Sequence, residues 1–315
     1  MNQPVQQDGA NRLVHHGRGT ELFVIFLVNV VLKILTLGIY HFWGKTRVRR
    51  YLWSQTSFDG ERLEYTGTGL ELFVGFLKAI VILGAVALGV VAVNALAPAV
   101  GAVVIVAMYF ALPVLIGFAT YSAQRYRLTR TRLRGIRFGL AGSGWDHGLK
   151  VLGHGLLTAL TLGLYTPFMR MKLIANMLGN ARFGSKEFDF DGKGGDMFGR
   201  FIVAVLLTIP TLGLVWLWYR AAEYRYSLAH LSAGDVRFEV QESNLALAWF
   251  FFTNGLIVLL TLGLGMPWVM TRTARHLGEH VTVTGRIDYD AIRQAQGEAE
   301  AVGEGFAEAF ELGAV

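Results

Sequence analysis

The stretch LFVIFLVNVVLKILTLGIYHFW, Leu22 to Trp43, decides the fold. It is almost wholly apolar, and Lys33 is its only Lys, Arg, Asp or Glu. An apolar run of about 20 residues crosses a bilayer core. Its Val and Ile content would favour strands in water. A run of this length is instead read as a membrane helix, because hydrocarbon offers backbone groups no water and only a local ladder satisfies them. Polar residues 1–16 precede the run, and Lys45, Arg47, Arg49 and Arg50 follow it at once. No small-residue cleavage site lies between, so the run is expected to stay in place and not to act as a cleaved leader.

Five further blocks have the same character: Leu70 to Leu96, Val100 to Tyr121, Leu149 to Phe168, Phe201 to Tyr219 and Leu245 to Val269. The whole chain of 315 residues is 53% hydrophobic and 17% charged, with mean hydropathy +0.42. Soluble domains carry about 25% charged residues, so the expected class is an all-α, multi-pass membrane bundle. Cysteine is absent, which excludes disulfides, thiol catalysis and cysteine metal sites. The net charge of +6 is carried in runs that follow the apolar blocks: Lys45 to Arg50, Arg125 to Arg137, Arg170 to Lys172 and Arg272 to Arg275. The loop from Asn94 to Ala99 has no charge. The positive-inside rule then puts the basic arms in the cytoplasm and Pro98 on the other side of a bacterial inner membrane.

The chain repeats itself. A Gly-x-Gly-x-acid pattern starts at Gly17, Gly67, Gly142 and Gly192, and ends on Glu21, Glu71, Asp146 and Asp196. Thr-Leu-Gly starts at Thr36, Thr161, Thr211 and Thr261 in the same register. The second unit lacks that motif, having Ala111-Leu112-Pro113, and its extra length equals one membrane crossing. The expected organisation is a polar tail (1–16), five units (17–66, 67–141, 142–191, 192–241 and 242–290) and an acidic tail (291–315). Each unit runs from a glycine entry through an acid and an apolar helix to Thr-Leu-Gly. An aromatic, basic stretch follows, and then an alternating segment around a glycine, at Gly60, Gly184, Gly234 or Gly285, that predicts a cytoplasmic β-hairpin. Lone hairpins are marginal, so they are expected to pair or to pack on the helices. A single apolar block per unit conflicts with basic arms that all face one side. Six crossings are the favoured reading, with blocks that turn back inside the membrane at Thr-Leu-Gly as the alternative.

Gly19-Thr20-Glu21-Leu22-Phe23, Thr36-Leu37-Gly38-Ile39-Tyr40, Phe42-Trp43-Gly44-Lys45-Thr46-Arg47, Arg50-Tyr51-Leu52-Trp53 and Leu63-Glu64-Tyr65-Thr66-Gly67-Thr68-Gly69 closely resemble the YjgN-like family of bacterial inner-membrane proteins. The resemblance is tightest in the first unit and extends more loosely to about residue 290. It implies an inner-membrane, multi-pass protein and brings no activity or catalytic residues.

Motif by motif, no cofactor is implied. Gly44-Lys45-Thr46 lacks the earlier glycine of a phosphate-binding loop, since Ile39 stands there. The Gly-x-Gly entries lack a third glycine and are read as turns into helices, each with its acid at the positive end of the helix dipole. His276-Leu277-Gly278-Glu279-His280 matches an inverted zinc motif. Gly278 interrupts it and no third ligand is evident, so no metal is expected. Tyr40, Trp43, Tyr51, Trp53, Trp216, Trp218, Tyr219 and Trp268 read as interfacial belts. The tail glutamates Glu298, Glu300, Glu304, Glu308 and Glu311, with Phe306 and Phe310, are expected to be mobile.

Two candidate sites remain. In register, Asn29, His154 and Asn254 share one unit position, Lys33, Thr158 and Thr208 a second, and Thr36, Thr161, Thr211 and Thr261 a third. Offsets of four and three put them on one helix face, a polar stripe within the membrane that serves either as a solute path or as interhelical glue. The basic side chains Arg47, Arg49, Arg50, Arg125, Arg127, Arg130, Arg132 and Arg134 are candidates for anionic phospholipid headgroups. The lipid bilayer is the expected partner. Nucleic acid is not expected, and self-association is left open. The apolar blocks hold no Asp or Glu beyond their first turns, so an enzyme is not expected. Passage of a small solute is the leading expectation, and a non-catalytic scaffold or anionic-lipid-binding protein is the alternative.

Overall fold

A computed structural model describes residues 12–285, 287–289 and 292. The acidic tail apart from Ile292 and most of the polar N-terminal tail lie outside the described residues, as do Arg286 and Asp290 of the last alternating segment.

The first block is divided in two. Helix α1 (Gly19–Leu35) ends at Thr36, and α2 (His41–Ser54) runs back beside it. The break is built by Thr-Leu-Gly. Leu37 and Gly38 both take positive φ, 51° and 95°, and the Gly38 N–H reaches back 2.7 Å to the Lys33 carbonyl. That six-to-one bond is the Schellman ending of a helix, with a leucine in the left-handed position that glycine usually fills. The same ending recurs at Leu162-Gly163, Leu212-Gly213 and Leu262-Gly263. It separates α5 (Gly144–Leu160) from α6 (Thr166–Leu178), α7 (Gly194–Leu207) from α8 (Val215–Ala229), and α9 (Asn244–Leu260) from α10 (Met266–His280). Four apolar blocks are therefore helical hairpins, and not the single straight helices that six crossings require. Only α3 (Gly69–Leu96) and α4 (Pro98–Thr129) run long and apolar, and they too form a hairpin, turned at Ala97.

After each second helix the chain enters short strands. These are β2 (Thr56–Phe58) and β3 (Glu61–Tyr65), β4 (Thr131–Leu133) and β5 (Ile136–Leu140), β6 (Ala181–Phe183) and β7 (Lys186–Glu187), and β9 (Leu231–Ala233) and β10 (Val236–Val240). The turns carry Asp59-Gly60 and Arg134-Gly135 in the left-handed region, as a two-residue hairpin loop demands. Strand β1 (Leu13–His15) pairs with β2, β8 (Asp189–Phe190) with β9, and β11 (Val281–Thr284) with β10, all antiparallel. The expected hairpin around Gly285 is thus represented by β11 alone among the described residues. The hairpins pair with one another into a seven-stranded sheet, β1 to β7, and a four-stranded sheet, β8 to β11. The two are separated in the chain only by Phe188. An all-α bundle is therefore corrected to a mostly helical protein with a substantial antiparallel sheet.

The hairpin geometry fixes the layers. Every described helical pair leaves the sheet and returns to it, so all the strands lie at one end of the helices. Neighbouring pairs pack in series, α2 on α3, α4 on α5, α6 on α7 and α8 on α9, and α10 packs on α1. The series closes on itself where Trp268 meets Phe23, ring centroids 4.8 Å apart, and lies over Gly19. Buried side chains gather near the sheet, among them Leu22, Leu72, Met197 and Leu247, one from each of four first helices. The hairpin tips are bare: Leu37, Leu162, Leu212 and Leu262 are 91–95% exposed.

Candidate functional site: an apolar chamber beneath the helices

The stripe residues other than Lys33 find partners inside their own hairpins. Thr211 donates to the Leu207 carbonyl at 2.6 Å and accepts the Val215 N–H at 3.2 Å, so one hydroxyl ends α7 and starts α8. Thr36, Thr161 and Thr261 do the same, each donating back four residues and receiving the N–H four residues on. Asn29 donates to the Gly44 carbonyl at 3.1 Å, and His154 meets the Tyr165 hydroxyl at 3.2 Å. Thr158 donates to the His154 carbonyl, and Thr208 accepts the Trp216 indole N–H at 3.1 Å. Asn254 accepts from Arg272 at 2.8 Å. Lys33 is exposed, one turn from its tip.

The basic side chains divide by burial. Arg49 is fully buried and donates to the Tyr65 hydroxyl at 3.2 Å, so no headgroup reaches it. Arg130 is 9% exposed, lies over the Tyr126 ring and donates to Glu71 at 3.1 Å. Arg125 holds the Gly142 carbonyl, Arg127 donates to Gln124, and Arg134 pairs with Asp59. Arg132 is half-buried in β4. Arg47 and Arg50 are exposed, with Arg50 donating to the Gly67 carbonyl. Of the eight, Arg47 and Arg50 are the ones most open to a headgroup, whereas Arg49 and Arg130 serve the interior.

Sequence reasoning missed a polar clasp at the base of the hairpins. Tyr51 accepts the Arg18 N–H and donates to Glu21 at 2.9 Å, tying α2 to the first turn of α1. Tyr126 donates to Glu71 at 2.7 Å, and Tyr226 donates to Asp196 while accepting the Lys193 N–H. In the third pair Lys150 joins Asp146 and Asn176, 2.6 Å from each. In the last pair His276 faces Glu242 at 2.8 Å. Burial pushes the Tyr51 and Tyr226 hydroxyls up and the His276 imidazole down from their ordinary values. The signal was present: these side chains share one position in the repeat register, between the basic arm and the predicted hairpin.

The alternating strands enclose something larger. Along β10, Val236, Phe238 and Val240 turn to one face while Arg237 and Glu239 are exposed on the other. Leu63, Phe138 and Val283 turn inward in the same way, and Arg62, Glu64 and Thr282 alternate with them. Together these faces line a chamber of about 610 Å³. Tyr224 and Leu228 of α8 and Leu277 of α10 line it from the helix side. Its charged lining residues are Lys186 at the start of β7, Asp235 in the β9–β10 turn and Asp288 in the C-terminal segment. That segment crosses the turns: Ile287 and Ile292 line the chamber, and Tyr289 sits between the Arg134 guanidinium and the Phe183 ring. Burial raises the Tyr289 hydroxyl to about 12. A space of this size and apolar lining suits a hydrocarbon chain or a small apolar molecule.

Residues 10–217 and 201–309 match the profile of a family described as bacterial protein of unknown function (DUF898). The chain is 34% identical over 129 residues to the inner membrane protein YjgN of Escherichia coli O157:H7, covering 41% of this chain and 31% of the relative. It is 32% identical over 158 residues to the inner membrane protein YjgN of Salmonella typhimurium, 49% of this chain and 38% of the relative. The chain thus spans about a third of the length of these relatives. No solved structure matches it.

Proposed function

We propose, from the premise that the chain belongs to the DUF898 family of bacterial proteins of unknown function, that it is a non-catalytic lipid-binding protein of the inner membrane. The observation that carries this reading is the apolar chamber, closed above by helices and rimmed below by charged turns.

The membrane placement rests on three supports. Relatives bear the name inner membrane protein. Helices α3 and α4 are long and apolar enough to cross, and only 6% of each apolar window is buried inside the chain. Four leucines occupy the left-handed region at bare tips, a strained backbone at about 1–2 kcal/mol each. Strain combined with exposed leucine is understandable where hydrocarbon, and not water, covers the tip. In this reading the repeat is five units set in a ring, the sheet and basic arms lie in the cytoplasm, α3–α4 crosses and returns, and four shorter hairpins enter from the same side.

The stripe then serves as glue, because its hydroxyls are engaged within each hairpin and leave little polar lining for a solute. Arg47 and Arg50, the most open of the basic side chains, are available to an anionic headgroup at the membrane surface. The test is photolabelling of the detergent-purified protein with a diazirine-bearing fatty acid. Labels should fall on Phe138, Phe238 and Leu228, and F238W should reduce them by filling the chamber. Labelling confined to the outer faces of the helices, unchanged in F238W, rules the reading out.

A further inference from the structure

At the base of the last helical hairpin, Glu242 leads into α9, while His276 and His280 lie one turn apart at the end of α10. One ligand atom from each comes within 4.8 Å of the other two. We propose that Glu242, His276 and His280 form a binding site for a divalent ion of the zinc class.

The ordinary explanation for this trio is the clasp seen in the other pairs, and the differences from it are specific. In the fourth pair the Tyr226 hydroxyl makes a hydrogen bond to Asp196, and His230 stacks on Tyr226 with its Nδ1 at the Tyr226 carbonyl. In the last pair His280 stacks on His276 in the same way, at 4.2 Å, with Nδ1 3.1 Å from the His276 carbonyl. Here, however, tyrosine is replaced by a second imidazole. The His276 Nε2 and Glu242 Oε2 atoms stand 2.8 Å apart, both buried, without the geometry of a hydrogen bond. Two buried lone-pair atoms this close, with no proton well placed between them, are what a shared cation resolves.

The surroundings also suit a ligand set. A metal-bound histidine commonly gives its other ring N–H to a backbone carbonyl, which fixes the tautomer. The His280 Nδ1 bond to the His276 carbonyl does this and leaves Nε2 free. His276 is clamped flat against the Phe250 ring at 3.8 Å, which fixes the plane in which its ring nitrogens can ligate. Two histidines and a carboxylate match a borderline cation and leave a fourth position for water or a further group. An ion here would fasten the end of α10 to the start of α9, where α10 also backs onto β1.

The experiment uses full-length protein in detergent, stripped with chelator and titrated with zinc chloride, with bound metal counted by elemental analysis. H276Y installs the side chain that Tyr51, Tyr126 and Tyr226 already carry at the equivalent position, so the fold is expected to survive. Zinc should bind the parent chain in a one-to-one ratio, and H276Y and H280Q should each weaken it by roughly ten- to hundredfold. E242Q provides the same reading if H276Y fails to fold. Cobalt should give the visible bands of a four-coordinate site in the parent chain and not in the variants. Absence of stoichiometric zinc in the parent, or equal binding in folded variants, overturns the site.

Discussion

The hairpin α3–α4 and its four shorter counterparts end on the same kind of strand, and all but the last start from an acid in the first helical turn, yet they are built for different depths. At 1.5 Å per residue, the 28 and 32 residues of α3 and α4 make rods of about 42 and 48 Å, whereas the 17 residues of α1 reach about 25 Å. A hydrocarbon core is about 30 Å thick. On the proposed topology the long pair clears the core and turns in water at an uncharged loop. The short pairs stop inside it at an exposed leucine. The long pair lacks Thr-Leu-Gly because it has no need to turn within hydrocarbon. A Schellman ending with Thr as cap satisfies its own carbonyls and is therefore the turn that an apolar medium tolerates.

The sharpest way to break this comparison is to put a charge at matched places. Val81 is exposed near the middle of α3, which the proposed topology sets within the core, and Leu162 is exposed at a short tip. V81R should cost about 2.5–3.5 kcal/mol on insertion scales and largely deplete the membrane fraction. L162R should cost about 1 kcal/mol, because an arginine there can snorkel toward the far headgroups. Membrane-fraction yield of the two variants, measured side by side, decides it. Equal loss would mean that the short tips lie at the midplane, and no loss from either would remove hydrocarbon from the account.

The next difference concerns how the hairpins join. Helix α4 meets α5 through small residues: a Cβ on Gly148 would lie 2.3 Å from the Val114 carbonyl oxygen and one on Gly117 2.6 Å from the Gly148 Cα. G148A should therefore push the helices apart and destabilise by roughly 2 kcal/mol. A thermal melt of the purified protein measures it, and an unchanged melt would show that the contact yields. The joint between α6 and α8 is ionic instead. Arg170 takes Glu223 with two nitrogens, and Arg220 adds a third contact at 3.1 Å. Glu223 is buried but both arginines are partly exposed, so E223Q should cost only about 1–2 kcal/mol. Because both arginines reach solvent, its effect on the melt should shrink at high salt without vanishing.

Much of this was legible. Thr36-Leu37-Gly38 marked a helix break, and Asp59-Gly60 marked a turn, since both depend on local backbone chemistry. The straight crossing read from Leu22 to Trp43 failed because hydropathy counts apolar residues and does not register a reversal made by one left-handed leucine. The chamber was hidden for another reason. Leu63, Phe138 and Phe238 lie far apart in the chain, and only pairing between successive hairpins brings their inward faces together. The exposure of Arg47 against the burial of Arg49 was equally out of reach, because residues two apart on α2 point to different sides and only the packing shows which side is covered. Glu242 could not be joined to His276 from the sequence, since the fifth unit lost its glycine entry and with it the register of its acid.

The smallest expected effect tests what the threonines do. Thr211 keeps its shape when changed to valine but loses both its bond to Leu207 and its capture of the Val215 N–H. In water, solvent would replace both partners and the change would be close to neutral. In hydrocarbon no substitute exists, although a single side-chain bond in a membrane protein averages only about 0.6 kcal/mol. T211V should therefore lower the melting temperature slightly, T211S should restore it by returning the hydroxyl, and the same pair at Thr261 should repeat the result. The exchange also separates the two readings of the stripe. Glue predicts a small loss of stability that serine rescues at every tip. A solute path predicts unchanged melting, with a flux across reconstituted vesicles that T211V abolishes. A neutral T211V with no such flux would place the tips in water, and the short hairpins would then have to be read as standing outside the membrane altogether.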